Sequence, residues 1–244
     1  MTGIDVRDYD ALTFDCYGTL IDWETGLLAA LRPVLAAHEP SSEAGREEGA
    51  TEIGGDTLLE AYARHEAALE AGPYLTYREV LGRALRGVCA DLGITPADDE
   101  VAAFADSVGD WPAFPDSGDA LSRLATSYKL AVITNCDDDL FARSAARLGV
   151  TFDWVITAQQ ARSYKPSSRN FELALNTIDV PRERILHVAQ SVFHDHVTAK
   201  KLGMASVWID RRAGRVGSGA TPPAQAVPDL TFPDMASFAA AAAT

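Results

Sequence analysis

Cysteine is scarce in this chain: Cys16, Cys89 and Cys136 are the only three, with no CxxC or Cys/His spacing among them. An odd count without repeated spacing gives neither a disulfide framework nor a zinc signature, and a reduced, cytoplasmic setting is the simplest expectation. Long apolar runs are missing too. Nothing approaches the ~18 residues a membrane span needs, and Ala239–Ala243 reads as a short helical end. Met1–Asp5 has neither a basic n-region nor an apolar h-region, so no signal peptide is expected. Basic residues are outnumbered, 21 Lys and Arg against 35 Asp and Glu, for a net charge of −14. That surface is poor for nucleic acid or an anionic membrane. An anionic small molecule must therefore be drawn by a local basic site, not by the global field.

What is present suits a folded enzyme. The 244 residues, 47% hydrophobic, are enough for one large domain, or a core with a smaller partner. Asp10–Asp15 reads as a buried strand, and the next strand pattern is Lys129–Ile133. Between them the chain is nearly all helix. Glu24–Ala37 has Leu27, Leu28, Leu31, Val34 and Leu35 on one face, with Pro33 expected to kink or divide it. Pro40–Gly49 reads as a polar loop or a loosely held helix start. Asp56 is a candidate N-cap for a helix to Ala71, followed by helices over Tyr74–Leu92 and Ala97–Ser107. After residue 112 strands alternate with helices: helix Ser117–Thr126, strand 129–133, helix Asp138–Leu148, strand Trp154–Thr157, helix Ser167–Asn176, strand Ile185–Ala189, helix Phe193–Leu202 and strand Ser206–Ile209. Gly214–Pro228 reads as a surface loop. The alternation predicts an α/β fold with a parallel sheet and right-handed crossovers, interrupted after its first strand by a helical insert.

The first strand ends on Asp15, and Gly18 follows with the freedom to turn the chain tightly. In open α/β sheets the catalytic crevice lies beyond the carboxyl ends of the strands. Other strands end there in polar groups as well: Thr134-Asn135 after the second, and Gln190-Ser191 after a later one, with Asp195 on the following helix. Tyr164-Lys165-Pro166 lies between them. Each element has a bland reading: an Asp capping a turn, a turn-forming Asn, a surface Lys before Pro. Convergence of all four on one sheet edge is the more specific signal.

Asp15-x-x-Gly18-Thr19-Leu20 resembles the first motif of the haloacid dehalogenase superfamily, and Asp-x-Tyr-Gly-Thr-Leu resembles its L-2-haloacid dehalogenase (type II) branch. The resemblance implies a Rossmann-like parallel sheet core, here residues 1–21 and 113–244, with an inserted helical cap over 22–112. It implies Asp15 as nucleophile, Lys165 beside it, and Thr134 and Asn135 as the second motif, with Asn135 holding the departing halide. It also implies a homodimer and no cofactor.

Two positions depart from the metal-dependent phosphatases of the superfamily. Residue 17 is Tyr, where those enzymes carry an acid to protonate the leaving alcohol; a phenol with a pKa of about 10 is a poor substitute, and a halide needs no proton. Residue 190 is Gln, where a hard divalent cation wants a carboxylate. The fourth motif departs from the dehalogenases too. Gln190, Ser191 and Val192 stand where a Ser-x-Asn is usual, and Val192 cannot act as that Asn does.

Asp195 is left to pair with Lys165 and orient or activate water. His194-Asp195-His196 looks like a metal motif, but neighbours on a helix point about 100° apart and cannot easily converge; His194 is expected in the pocket and His196 as structural. Arg64 is the best-spaced cap arginine for a substrate carboxylate, or a solvated helix face. Tyr17, Gln190 and Ser191 complete the expected substrate contacts. Trp23, Tyr62, Trp111 and Phe193 are pocket walls or plain core.

The reading is metal-independent hydrolytic dehalogenation of short 2-haloalkanoic acids through an ester on Asp15. A magnesium-dependent phosphatase and a non-catalytic carboxylate-binding relative are the alternatives.

Overall fold

A computed structural model describes residues 4–38, 53–213 and 224–242. Six strands form one sheet: β1 (Ala11–Phe14), β2 (Lys129–Thr134), β3 (Trp154–Thr157), β4 (Ile185–Ala189), β5 (Ala205–Ile209) and β6 (Leu230–Phe232). All are parallel, in the order β3-β2-β1-β4-β5-β6. The order reverses at β1, so the crevice beyond its carboxyl end is where such a sheet binds ligands. Every residue of β1 and β4 is buried, as a strand covered on both faces requires.

Of the five described α-helices between β1 and β2, the first four form the insert: α1 (Trp23–Ala37), α2 (Gly55–Glu70), α3 (Tyr77–Asp91) and α4 (Asp98–Asp106). The chain leaves and returns side by side. Ile21 bridges Ala113, and the Asp22 N–H donates to the Pro112 carbonyl at 2.8 Å. Six more helices follow: α5 (Ser117–Leu124), α6 (Asp138–Leu148), α7 (Ala158–Ala161), α8 (Ser168–Thr177), α9 (Val197–Lys201) and α10 (Met235–Ala242). A large core cluster joins one sheet face to the inserted helices through Phe14, Val132, Leu59, Tyr62 and Val80. A smaller one on Ile133, Ile156, Phe171 and Ile185 fills a second layer under α8.

Several boundaries differ from expectation. Pro33 lies within α1 without ending it. Gly54, not Asp56, is the N-cap of α2, and Asp56 sits in its first turn. The third helix starts at Tyr77 because Thr76 and Glu79 close a capping box there. Residues 193–202 are not one regular helix: Val192–His196 form a π-helical turn before α9. The 40–49 loop and the 214–223 part of the glycine-rich loop lie outside the described residues.

Candidate active site

β1 delivers Asp15 to the crevice, its N–H still in the sheet through the Val188 carbonyl at 3.1 Å. Gly18 then turns the chain at φ +95°, where a Cβ would also stand 3.2 Å from the Trp23 indole. That turn brings Thr19 back so its hydroxyl donates to Asp15 Oδ2 at 2.6 Å, while Thr19 Oγ1 accepts the Gln190 N–H at 2.9 Å. Thr19 thus ties the exit of β1 to the exit of β4.

The Lys165 ammonium reaches the same point from the segment after α7. It is 1% exposed, and all three of its protons have acceptors: Asp15 Oδ1 at 2.8 Å, Asp195 Oδ1 at 2.7 Å and the Ile133 carbonyl at 2.8 Å. Asn135 positions the backbone beneath it, taking the Lys165 N–H on Oδ1 at 2.7 Å and donating Nδ2 to its carbonyl at 3.1 Å. Burial opposes the charge of Lys165, but the two carboxylates outweigh it and raise its pKa. Burial pushes Asp15 above the usual carboxylate range and the Asp195 charge adds to this, with Lys165 and Thr19 pulling it back. Asp195 is the reverse case: burial would raise it, yet Lys165 and His187 hold it well below the ordinary range.

Beyond the carboxylates lies a cavity of about 70 Å³ lined by Asp15, Tyr17, Trp23, Glu66, Glu70, Tyr77, Asn135, Lys165, Gln190, Ser191, His194 and Asp195. One water needs roughly 10–15 Å³, so the space suits a molecule of a few heavy atoms. Burial lowers His194 to about 4, leaving a neutral imidazole whose Nδ1 meets Ser191 Oγ at 3.2 Å. The Tyr17 ring faces the cavity, but its hydroxyl points to Ser144 Oγ at 2.9 Å and Cys136 Sγ at 3.3 Å. Burial pushes that phenol far up. It is a wall, not a proton donor.

The expected residues therefore fall into two groups. Asp15, Tyr17, Asn135, Lys165, Gln190, Ser191, His194 and Asp195 share the cavity. Two others do not. Arg64 sits on the exposed face of α2, its side chain 66% exposed and 3.4 Å from Asp91, because helical spacing alone does not say which face turns inward. Thr134 is fully buried at the end of β2 and is not in the cavity wall. Its neighbour Ile133 makes the useful contact instead, through its carbonyl.

Glu66 and Glu70 were not foreseen, although Tyr62, Glu66 and Glu70 recur at a spacing of four along one stripe of α2. Glu66 Oε1 accepts the hydroxyls of Tyr62 at 3.0 Å and Tyr77 at 2.9 Å. Enclosure raises Glu66 against those two donors; it raises Glu70 further, with the neighbouring Glu66 charge adding and Lys165 opposing. His187 was missed as well, its signal being one titratable residue in the buried strand Ile-Leu-His-Val-Ala. A divalent cation does not fit this donor set. The Lys165 ammonium already stands between the two carboxylates, Gln190 is neutral, and among the described residues no group of three or more His, Cys, Asp or Glu could hold an ion.

Comparison with known proteins agrees with this geometry. Residues 9–203 match the family model of haloacid dehalogenase-like hydrolases. An (S)-2-haloacid dehalogenase of Pseudomonas putida is 26% identical over 228 residues, 92% of this chain and 96% of that one. Among solved structures, a defluorinating L-2-haloacid dehalogenase superposes with a TM-score of 0.78 at 20% identity, covering 98% of both chains. The L-2-haloacid dehalogenase of Xanthobacter autotrophicus, solved with chloropropionic acid covalently bound, gives a TM-score of 0.74 at 21% identity over 95% of this chain and 97% of that one. At those identities the structures establish the fold.

Proposed function

This chain belongs to the haloacid dehalogenase-like hydrolase family, and on that premise we propose that it hydrolyses short 2-haloalkanoic acids to 2-hydroxy acids and halide through an ester on Asp15. The observation that carries the reading is Lys165, buried and bridging Asp15 and Asp195, in a cavity with no carboxylate at positions 17 and 190. Lys165 keeps Asp15 ionised despite its burial. Each Asp15 oxygen keeps a lone pair after its one hydrogen bond, so the carboxylate attacks the halogen-bearing carbon and expels halide, inverting that centre. Holding the carbon about 3–3.5 Å from Asp15 supplies much of the acceleration. Water then adds to the carboxyl carbon of Asp15 and frees the hydroxy acid.

Lys165, Asp15 and Asp195 form the catalytic set. The second N–H of Asn135, the Gln190 amide and the Nε2–H of His194, whose Nδ1 accepts the Ser191 hydroxyl, are the donors that receive substrate carboxylate and halide. Glu70, pushed up by burial, joins them as a donor in its protonated form. Tyr17 and Trp23 supply apolar wall. Residues 22–112 act as a cap, with α2 and Tyr77 closing the cavity over a core of 1–21 and 113–244. Among the described residues no helix is long and apolar enough to cross a membrane. The homodimer implied by the family belongs to the same reading.

The test is halide release from the two 2-chloropropionate enantiomers with EDTA present, beside a phosphate ester assayed with magnesium. Halide from the L enantiomer in EDTA is the expected result. Phosphate release with magnesium and no halide would replace this reading with a phosphatase.

A further inference from the structure

Asp195 has a second partner that the catalytic scheme above does not use. Its Oδ1 accepts from Lys165 at 2.7 Å and meets His187 Nε2 at 3.1 Å. His187 is fully buried on β4, in register with Thr13 on β1, and its Nδ1 lies 2.9 Å from the Thr13 hydroxyl. The Phe171 ring packs edge-on against the imidazole, centroids 5.0 Å apart. We infer that His187 is a positioning residue for hydrolysis of the Asp15 ester, holding Asp195 so that its free oxygen faces the attacking water.

The proton position at Nε2 follows from its partner. An ionised carboxylate only accepts, so Nε2 carries the hydrogen toward Asp195. Nδ1 lies against the buried Thr13 hydroxyl, which can either donate or accept there. The result is a chain of contacts, Thr13 to His187 to Asp195 Oδ1. With Oδ1 taking two donors, Oδ2 makes no hydrogen bond to any described residue and is the oxygen left to accept from water.

No side chain of the π-helical turn hydrogen-bonds the Asp195 carboxylate. Ser191 is bonded to His194, His196 to Ser206 and the Ala189 carbonyl, and Val192 has no polar side-chain atom. Orientation therefore falls to Lys165 and His187. Lys165 also serves Asp15, which changes from carboxylate to neutral ester and back during the cycle. The His187 contact does not depend on the state of Asp15.

In the step at issue, water oxygen bonds to Cγ of the Asp15 ester. One of its protons passes to Asp195 Oδ2 and on to the alkoxide oxygen as the bond from Cγ to that oxygen breaks, releasing the 2-hydroxy acid; the other leaves to solvent as the new Asp15 carboxyl group ionises. Alkylation of Asp15 by the haloacid needs no water. Loss of His187 should therefore slow the second half of the cycle and spare the first.

The inference rests on the covalent route through Asp15, and the experiment separates the two. Wild type, His187→Leu, His187→Gln and the doubly apolar Thr13→Val/His187→Leu are mixed with L-2-chloropropionate; the halide burst, the steady-state rate and the mass of intact protein are followed. His187→Gln keeps an N–H near the Nε2 position. The expected result is a wild-type halide burst in both leucine variants, a steady-state rate lower by about 10- to 100-fold, accumulation of protein carrying the Asp15 ester, and recovery in His187→Gln. The double variant leaves no unpaired Thr13 hydroxyl, so it reports even if His187→Leu does not fold. A burst slowed in step with turnover and without accumulated ester, or wild-type turnover in a folded leucine variant, would overturn the role of His187. No halide from wild type would instead overturn the parent reading.

Discussion

At the scale of residues, the site is a buried exchange of charge: two carboxylates share one ammonium that solvent does not reach. Asp15 has the weaker claim on Lys165, because Asp195 also has His187. Its raised pKa means the folded chain holds that proton more tightly than the unfolded chain does, so ionised Asp15 weakens the fold at pH values above its titration. Asp15→Asn should therefore abolish halide release while raising the melting temperature, by roughly 2–4 °C if about 1 kcal/mol of penalty is removed. Thermal unfolding beside a halide assay checks both; a lower melting temperature would mean Asp15 is a net stabiliser. In the wild type, kcat/KM should fall on the acid side at a higher pH than an ordinary carboxylate would give.

The convergence of Asp15, Lys165 and Asp195 was legible because each follows a strand end or a loop between strands, and the topology delivers strand ends to one edge. Arg64 and the Glu66/Glu70 pair were not. They lie on one helix, and the facing of a helix within a cap is decided by packing, which spacing alone leaves open.

At the scale of elements, helices α2 and α3 supply the far wall, and the core holds them there. Asp137, at the exit of β2, is nearly fully buried and accepts the first N–H groups of α3, from Tyr77 at 3.0 Å and Arg78 at 3.1 Å. A carboxylate at a helix N-terminus satisfies orphan donors and opposes the helix dipole. Asp137→Ala should cost about 1–2 kcal/mol of stability and lower kcat/KM, since the Tyr77 hydroxyl that fixes Glu66 moves with the start of α3. An unchanged melting temperature would show that the Thr76 capping box suffices.

On α2, Glu70 is the acid that burial and the Glu66 charge push well up, so its protonated form is the one placed to donate to a bound carboxylate. As pH rises it ionises, and KM for an anionic haloacid should climb; Glu70→Gln, neutral throughout, should flatten that climb. A KM profile identical in the variant would remove Glu70 from substrate binding. The start of α3 carries its signal in Thr76-x-x-Glu79, and the short apolar stretches of β2 and β4 mark their strands. The π-helical turn has no such mark, since one extra residue per turn leaves no trace in a 3.6-residue period. Neither has β6, three residues long and paired only with β5.

At the scale of the whole molecule, the net charge of −14 and a cavity whose described lining has four acids and one lysine work against an anionic substrate unless its charge is met locally. The inserted helices are fastened to the core by a chain of exposed ion pairs, Arg78 with Asp106 and Asp139, Arg143 with Asp106 and Asp110, and Arg147 with Asp110. Such pairs are individually weak and screened by salt, so they tune how the inserted helices fit the sheet and its helices, while the shared apolar cluster holds the two together. The α/β plan, with its insert after β1, was readable from the change of rhythm at residue 112, because parallel sheets need crossovers and helical inserts carry none. All of this converges on one claim, that Asp15 is the nucleophile. The most direct test is a single turnover of L-2-chloropropionate with enzyme in excess, in water labelled with heavy oxygen. The account predicts unlabelled hydroxy acid, with the label on the Asp15 carboxylate in the peptide that contains it. Label in the product of that first turnover, and none on Asp15, would contradict it and make water the attacking group.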